Sequence, residues 1–405
     1  MTMQADSLQT SSVHASYPGI QPSAKAQAII DDLRGFLREE LQPLEQREGI
    51  RFGEKHSREL LRNLWKRSCE RGFYNIMLPE ELGGAGLGIA DLCAVKEAAA
   101  SSGAVLAAHV LGELSGPPRV GHLFRVASEE QIEHFLRPVC RAEKAVCFAL
   151  TEAEAGSDAT AIRTSARLEG DHYVLDGAKR YISGAPYADF AVLLAVTGPG
   201  KGAEGISAFF VDLSAPGAKV VSDYQAMSGP GTHGDILLEG VKVPVAHRIG
   251  AEGKGFKLAM GRITLNRLLH CATMLGMAEL ALNLSVDYAR SRVQFGRPIG
   301  MFQAVSHMIA DMATELFAAR SMMYATAASY DGGGDIRIQS SMCKVFSSET
   351  AFRIADRAVQ VHGGAGLING HPVEWLFRAT RMMRILTGTS EIQRNTIAKG
   401  ILMPD

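Results

Sequence analysis

Phe148-Ala-Leu-Thr-Glu-Ala-Glu-Ala-Gly-Ser-Asp158 decides how the rest of the chain is read. It starts inside an apolar run, Ala145-Val-Cys-Phe-Ala-Leu-Thr151, and ends in a turn dense in hydroxyls and carboxylates. A short apolar run closed by Gly, Ser and Asp predicts a buried strand that leads into a glycine turn. The N–H groups of that turn, with the Thr151 and Ser157 hydroxyls, suit a polar heterocycle or a pyrophosphate. A capped β turn without a ligand accounts for the same residues, since Ser and Asp favour turns in any case. Glu152 and Glu154 lie in this turn, and Asp158 reads as a turn cap.

Downstream, Phe190-Ala-Val-Leu-Leu-Ala-Val196 and Ile206-Ser-Ala-Phe-Phe-Val-Asp212 are further short apolar runs. Gly170-Asp171, Asp176-Gly177, Gly198-Pro-Gly200 and Pro216-Gly217 read as the turns between strands. The pattern predicts a small β-sandwich or barrel of about 100 residues over 146–245. Upstream the period is helical. Ile29, Ile30, Leu33, Phe36, Leu37 and Leu41 form a stripe that Pro43 is expected to end. A second helix is expected from about Glu54 to Gly72, then a loop at Pro79–Gly86 and a helix from Ile89. Ser128-Glu-Glu-Gln131 has the form of a capping box. Residues 25–145 therefore read as an N-terminal helical domain after a flexible start over 1–24.

The helical period returns near Gly253. Phe256, Met260, Ile263, Leu265, Leu268 and Leu269 open a long helix expected to reach Ser291. Phe302–Tyr330 and Ile338–Val361 suggest two more, with Gly332-Gly-Gly334 as the turn between them. Residues 246–405 thus read as a C-terminal bundle of the four-helix type. The expected fold class is α+β, in the order helix, sheet, helix.

Composition narrows the choice of function. A chain of 405 residues exceeds one ordinary core. With 46% hydrophobic and 21% charged residues, the chain is globular rather than disordered. Lys plus Arg number 42 against 43 Asp plus Glu, without the basic excess of a nucleic-acid binder. No uninterrupted run approaches the roughly 18 apolar residues of a membrane span, so no integral membrane segment is expected. Met1–Pro22 is polar, lacks the plan of a secretory signal and contains no Arg. The six cysteines form no CxxC pair, which predicts idle thiols in a reducing cytoplasm.

From about residue 25 to 403 the chain resembles the acyl-CoA dehydrogenase family. Four segments in order carry the resemblance: Ala149-Leu-Thr-Glu-Ala-Glu-Ala-Gly-Ser-Asp158, Arg292-Val-Gln-Phe-Gly-Arg-Pro298, Gln360-Val-His-Gly-Gly-Ala-Gly366 and Gly388-Thr-Ser-Glu-Ile-Gln393. The resemblance implies FAD as cofactor and a CoA thioester as substrate. It also implies an electron-transferring flavoprotein as acceptor and a homotetramer built as a dimer of dimers. It places Phe148, Leu150, Thr151, Tyr181 and Ser183 around the flavin, and Ser157 at the FAD pyrophosphate or CoA. Arg292, Phe295 and Gln303 would reach a neighbouring subunit's FAD, and Gln360 and Gly364 its adenosine end. Thr389 and Glu391 would also meet the cofactor. Arg267 would lie near the CoA entrance, with Leu386 and Gly388 beside the acyl group. Without the family, Arg292 is a surface cation at a helix end and Phe295 a core residue.

Dehydrogenation removes an α-proton to a carboxylate and a β-hydride to flavin. The family carries that Glu either just before the Gly-Thr-Ser stretch or on the long helix before the residue matching Arg267. Those positions hold Thr387 and Asn266, and neither side chain is a useful base near neutral pH. Glu391, four residues after Thr387, would share a helical face with it. His270 follows Asn266 by one helical turn. These two are the candidate replacement bases, although Glu391 also suits a cofactor contact and His270 a core position. Thr387 keeps the backbone N–H that in the family polarises the thioester oxygen. Gly370, Trp375, Ala379 and Leu386 depart from the residues usual in the family. The expected function is α,β-dehydrogenation of a CoA thioester with a displaced or absent base. The alternatives are a flavoenzyme of the same fold catalysing reduction, elimination or oxygenation, and a catalytically silent FAD- and CoA-binding subunit.

Overall fold

The computed structural model describes residues 21–198, 202–221 and 224–403. Most of the expected flexible start, and the Pro199-Gly200 part of one expected turn, lie outside the described residues. The Ser23 hydroxyl accepts a hydrogen bond from the Ala26 N–H at 3.2 Å and opens α1, Ala24–Phe36. Pro43 does not end this helical segment as expected. Leu37–Leu41 forms a π-helical turn, and α2, Gln42–Arg47, carries the proline in its first turn. The π turn just before it accommodates the proline within a continuous helical run. Helices α3 (Arg58–Glu70) and α4 (Ile89–Ser101) follow, then the short α5 (Ala107–Val110), α6 (Glu129–Gln131) and α7 (Arg137–Cys140). The capping box is complete: Ser128 and Gln131 exchange hydrogen bonds at 3.1 and 3.2 Å.

The strands are β1 (Val146–Ala149), β2 (Ser165–Glu169), β3 (His172–Ser183), β4 (Phe190–Val196), β5 (Ile206–Asp212), β6 (Ala218–Val221), β7 (Gln225–Ala226), β8 (Gly229–Pro230), β9 (His233–Pro244) and β10 (Arg248–Ile249). Two halves, β10-β5-β4-β1 and β2-β3-β9-β6, join among the described residues through Ser165 opposite Val196. Ala191, Leu193, Phe209 and Val211 of one half share a core with Tyr173, Leu175, Ile236 and Val241 of the other. The halves therefore pack as a sandwich. Asp176-Gly177 is not a turn. It lies inside β3, where the register shifts between Leu175 and Gly177 and Gly177 takes φ 143°. A bulge needing positive φ selects the same residues as a turn.

The bundle consists of α8 (Gly255–Ser291), α9 (Gln303–Asp331), α10 (Arg337–His362), α11 (Pro372–Met383) and α12 (Ser390–Leu402). A hairpin of β11 (Val293–Gln294) and β12 (Arg297–Pro298) separates α8 from α9. Contrary to expectation, α8 is long and apolar enough to cross a membrane, with a mean hydropathy of 1.3 over its best window. Of that window 83% is buried inside the protein, so α8 is the core helix around which α4, α9 and α10 pack. A buried ion cluster ties three of these helices. Arg320 of α9 bonds Glu97 of α4 at 2.6 Å and Glu279 of α8 at 3.0 Å. Asp331 caps α4 from the far end of the sequence, accepting from the N–H groups of Ile89 and Ala90 at 2.7 and 2.9 Å. Trp375 stacks on Phe52 at 4.4 Å and donates to the Ser228 carbonyl at 3.1 Å, so it joins all three regions.

Candidate active site

The Phe148–Asp158 stretch leaves β1 and folds back over β3. Its anchor is Glu152, which accepts from the N–H groups of Arg163 and Thr164 at 2.6 and 3.0 Å. The fully buried Lys179 of β3 completes the anchor, with Nζ 2.7 Å from Glu152 and 3.2 Å from the Leu150 carbonyl. Burial lowers Lys179 to about 8. Burial alone would raise Glu152, but the Arg163 N–H and Lys179 outweigh it and hold the carboxyl below its usual range. Glu152 is thus a structural anchor, and Glu154, Ser157 and Asp158 are exposed.

Around this turn the hydroxyls of Thr151, Ser157 and Ser183 have no hydrogen-bond partner among the described residues, while the Thr151 carbonyl is used by the Arg180 N–H at 2.8 Å. Tyr181 is held at φ 59° with its ring 55% exposed, and its N–H donates to Asp235 at 3.0 Å. Free hydroxyls beside a solvent-facing aromatic fit the polar edge of a flavin. Phe148 and Leu150 are part-buried beneath the turn. Arg292, Phe295 and Gln303 are exposed at the β11–β12 hairpin, with Phe295 at 94% exposure and φ 50°. Phe295 is therefore not a residue of its own chain's core. Gln360 and Gly364 are exposed where α10 ends.

At the position before Gly388, the backbone is strained. Thr387 has φ 55°, an uncommon value for a β-branched residue. Its conformation is fixed from outside. Gln393 donates to the carbonyls of Thr387 and Gly388, both at 3.1 Å, and Lys344 of α10 donates to the Gly388 carbonyl at 2.8 Å. Gly388 takes φ 91°, and a Cβ there would lie 2.6 Å from the Gln393 side-chain nitrogen. The N–H groups of Thr387, Gly388 and Thr389 find no acceptor among the described residues, and the Thr389 hydroxyl caps α12 at Ile392.

The Thr387 hydroxyl lies 2.9 Å from His270 Nδ1 of α8. His270 is pushed down to about 3, first by burial and then by the charges of Lys96, Arg262, Arg119 and Lys344, so the imidazole is neutral. Thr387 and Glu391 do not share a helical face as expected. Thr387 lies outside α12, because the positive φ breaks the helix before Ser390, and Glu391 points to solvent. Of the two candidate bases, the structure brings only His270 to Thr387. Asn266 lies on α8 one turn before His270. The Arg267 Nη1 donates to Ser341 of α10 at 3.2 Å, while its Nε is enclosed without a partner. Leu386 is part-buried beside Thr387.

Sequence reading missed Lys344, Gln393, Arg262 and Lys96. Lys344 was detectable as a lone cation among the small residues of Ser340-Ser-Met-Cys-Lys344. Arg262 stands four residues before Asn266, the spacing that already singled out His270. Gln393 stood in the quoted Gly388–Gln393 segment, but its role depends on the turn that it closes.

A helix–sandwich–helix chain, with unengaged hydroxyls on the sandwich and unengaged N–H groups at a strained turn of the bundle, is the plan of a flavin-dependent acyl-thioester enzyme. The acyl-CoA dehydrogenase N-terminal, middle and C-terminal domain families match residues 23–143, 147–241 and 253–402. The chain belongs to the acyl-CoA dehydrogenase family, and its cofactor is FAD. It is 37% identical over 373 residues to a 3-(aryl)acrylate reductase of Clostridium sporogenes, covering 91% of this chain and 96% of the relative. It is 38% identical over 352 residues to the caffeyl-CoA reductase–Etf complex subunit CarC of Acetobacterium woodii, covering 86% and 92%. The FAD complex of PigA superposes with a TM-score of 0.85 at 28% identity, covering 95% of this chain and 99% of that one.

Proposed function

We propose that this oxidoreductase acts at the Cα–Cβ bond of a CoA thioester, and that the Thr387–His270 pair stands where the family carries its carboxylate. The observation that carries this reading is the 2.9 Å contact between Thr387 and a neutral imidazole, beside three unengaged N–H groups. Bound FAD would be held by Thr151, Ser157 and Ser183 and would supply hydride acceptance or donation at the β-carbon. The Thr387 N–H polarises the thioester oxygen and stabilises the negative charge that loss of the α-proton delocalises onto it. The Thr387 hydroxyl is the group through which the α-proton leaves or returns, with His270 Nδ1 accepting from it. An imidazole pushed down to about 3 is a weaker base than a carboxylate, so the site suits an α-proton that is already acidic, or the reductive direction. The two relatives named as reductases favour that direction as a second reading.

The relative named as part of an Etf complex supports an electron-transferring flavoprotein as redox partner. Val293, Phe295 and Met301 form an exposed apolar patch at the hairpin, at 51%, 94% and 61% exposure. Such a patch supports a homotetramer in which Arg292, Phe295 and Gln303 complete a neighbour's FAD site. Six unpaired thiols are consistent with a reducing cytoplasm. Anaerobic titration of the yellow protein with matched acyl-CoA and enoyl-CoA thioesters tests the function. Acyl-CoAs should bleach the oxidised flavin, or enoyl-CoAs reoxidise the reduced one, and His270→Ala should slow whichever occurs. Thioesters that neither bleach, reoxidise nor perturb the flavin would defeat the reading.

A further inference from the structure

The α8 face that carries His270 also carries a cation, Arg262, that meets no carboxylate among the described residues. Arg262, Asn266 and His270 follow one another at intervals of four along α8 and therefore share one face. Arg262 lies with its guanidinium carbon 5.5 Å from the centre of the Phe148 ring. Its Nε is sealed from solvent without a partner, and no carboxylate pairs with it among the described residues. Arg119 donates to the Leu114 carbonyl at 2.6 Å, Lys344 to the Gly388 carbonyl and Arg267 to a serine hydroxyl. Among the described residues Glu113 is the one carboxylate paired with these cations, and Lys96 already holds it at 2.5 Å. Enclosed cations satisfied by neutral groups, or by none, carry a desolvation cost that a bound anion would offset.

We propose that the acyl group handled at this site carries its own negative charge, a carboxylate close to the reacting carbons, and that Arg262 is its principal partner. The inference rests on the CoA-thioester reading above and names the substrate class within it: the monothioester of a short dicarboxylic acid. The FAD pyrophosphate is the competing anion. Arg262 shares its α8 face with His270, the residue that meets Thr387, and that position favours the acyl group instead. Arg262 also reaches the flavin side through Phe148, so the carboxylate would lie against the flavin-facing wall of the acyl pocket.

The test compares succinyl-CoA with butyryl-CoA, which differ by a terminal carboxylate in place of a methyl group. Binding to the FAD-loaded enzyme is followed anaerobically by perturbation of the flavin spectrum and by calorimetry. Succinyl-CoA should bind roughly 10- to 100-fold more tightly, the value of a charge-assisted hydrogen bond to an enclosed guanidinium. Arg262→Met should abolish that preference while FAD content and sedimentation remain those of the wild type, and Arg262→Lys should retain part of it. Equal binding of the two thioesters, or a preference for butyryl-CoA, overturns the charged acyl group but leaves the thioester reading intact. Failure of both to bind overturns both. Loss of FAD from Arg262→Met with the succinyl preference unchanged assigns the cation to the cofactor and also overturns the proposal.

Discussion

Replacing Thr387 by glutamate returns a carboxylate to the position before Gly388, and the structure sets how large the gain can be. A positioned general base contributes about 10²- to 10⁴-fold. The backbone already presents the site, and a residue without β-branching adopts φ 55° with no more strain than threonine. Losing the Thr387–His270 contact costs on the order of 1 kcal/mol of local stability. The opposing effect is electrostatic. Lys96, Arg262, Arg119 and Lys344, which depress His270, would also favour the ionised carboxylate and weaken it as a base. The expected gain in flavin reduction by a saturated acyl-CoA is therefore near the lower limit, about 10²-fold. Adding Arg262→Met should raise it further. The assay is anaerobic stopped-flow loss of oxidised-flavin absorbance at saturating thioester. A Thr387→Glu enzyme that binds the thioester yet reduces its flavin no faster than wild type would refute the argument. A wild type that already turns over as fast as the variant would do the same.

Lys179→Met should destabilise the protein by about 3–5 kcal/mol, because it strands buried Glu152 and frees the turn that carries the Thr151 and Ser157 hydroxyls; thermal unfolding and FAD release should shift together, and an unchanged melting temperature would count against the anchor role. His109, His122 and His270 are each lowered to about 3, mainly by burial. The unfolded chain binds protons at these histidines below about pH 6.5 while the native state does not. Stability should therefore fall as pH drops from 6.5 towards 3, by up to about 1.4 kcal/mol per pH unit for each histidine. Denaturant midpoints across that range check the slope, and replacing His109 by Gln should make it shallower. Phe295→Ser should leave the secondary structure intact but loosen both assembly and FAD retention. Sedimentation showing an unaltered oligomer with full FAD would remove the hairpin from the interface.

The fold was legible because its strongest signals are local. The apolar runs of β4 and β5 and the helical period of α8 to α10 lie within a residue or two of their expected limits. Strands β2, β3 and β9 were not individually legible. They are half-exposed and polar, and β3 carries a bulge whose Asp-Gly pair imitates a turn. The site was legible in residue types but not in geometry. Thr387 and His270 are separated by 117 positions, so nothing local pairs them. Glu391 misled because four-residue spacing implies a shared face only inside one helix, and the strain at Thr387 ends that helix first.

The strain itself separates what this site keeps from what it has exchanged. The described non-glycine residues with positive φ are Ala142, Tyr181, Phe295 and Thr387, and the last three are all candidate cofactor or substrate residues. Each such conformation costs on the order of 1–3 kcal/mol and persists only where surrounding contacts over-determine it. At Thr387 those contacts come from Gln393 and Lys344, and all of them bind carbonyls. None depends on the side chain at 387. The backbone device that leaves the Thr387 N–H without an acceptor is therefore independent of the side chain at 387. A substitution at 387 can change the chemistry without dismantling the presentation. That independence is why a chain with threonine in place of the carboxylate can keep the strained turn, and why Lys344→Met should impair thioester binding in the wild type and in Thr387→Glu alike. If Lys344→Met spared binding in both, the turn would be held by something other than these contacts.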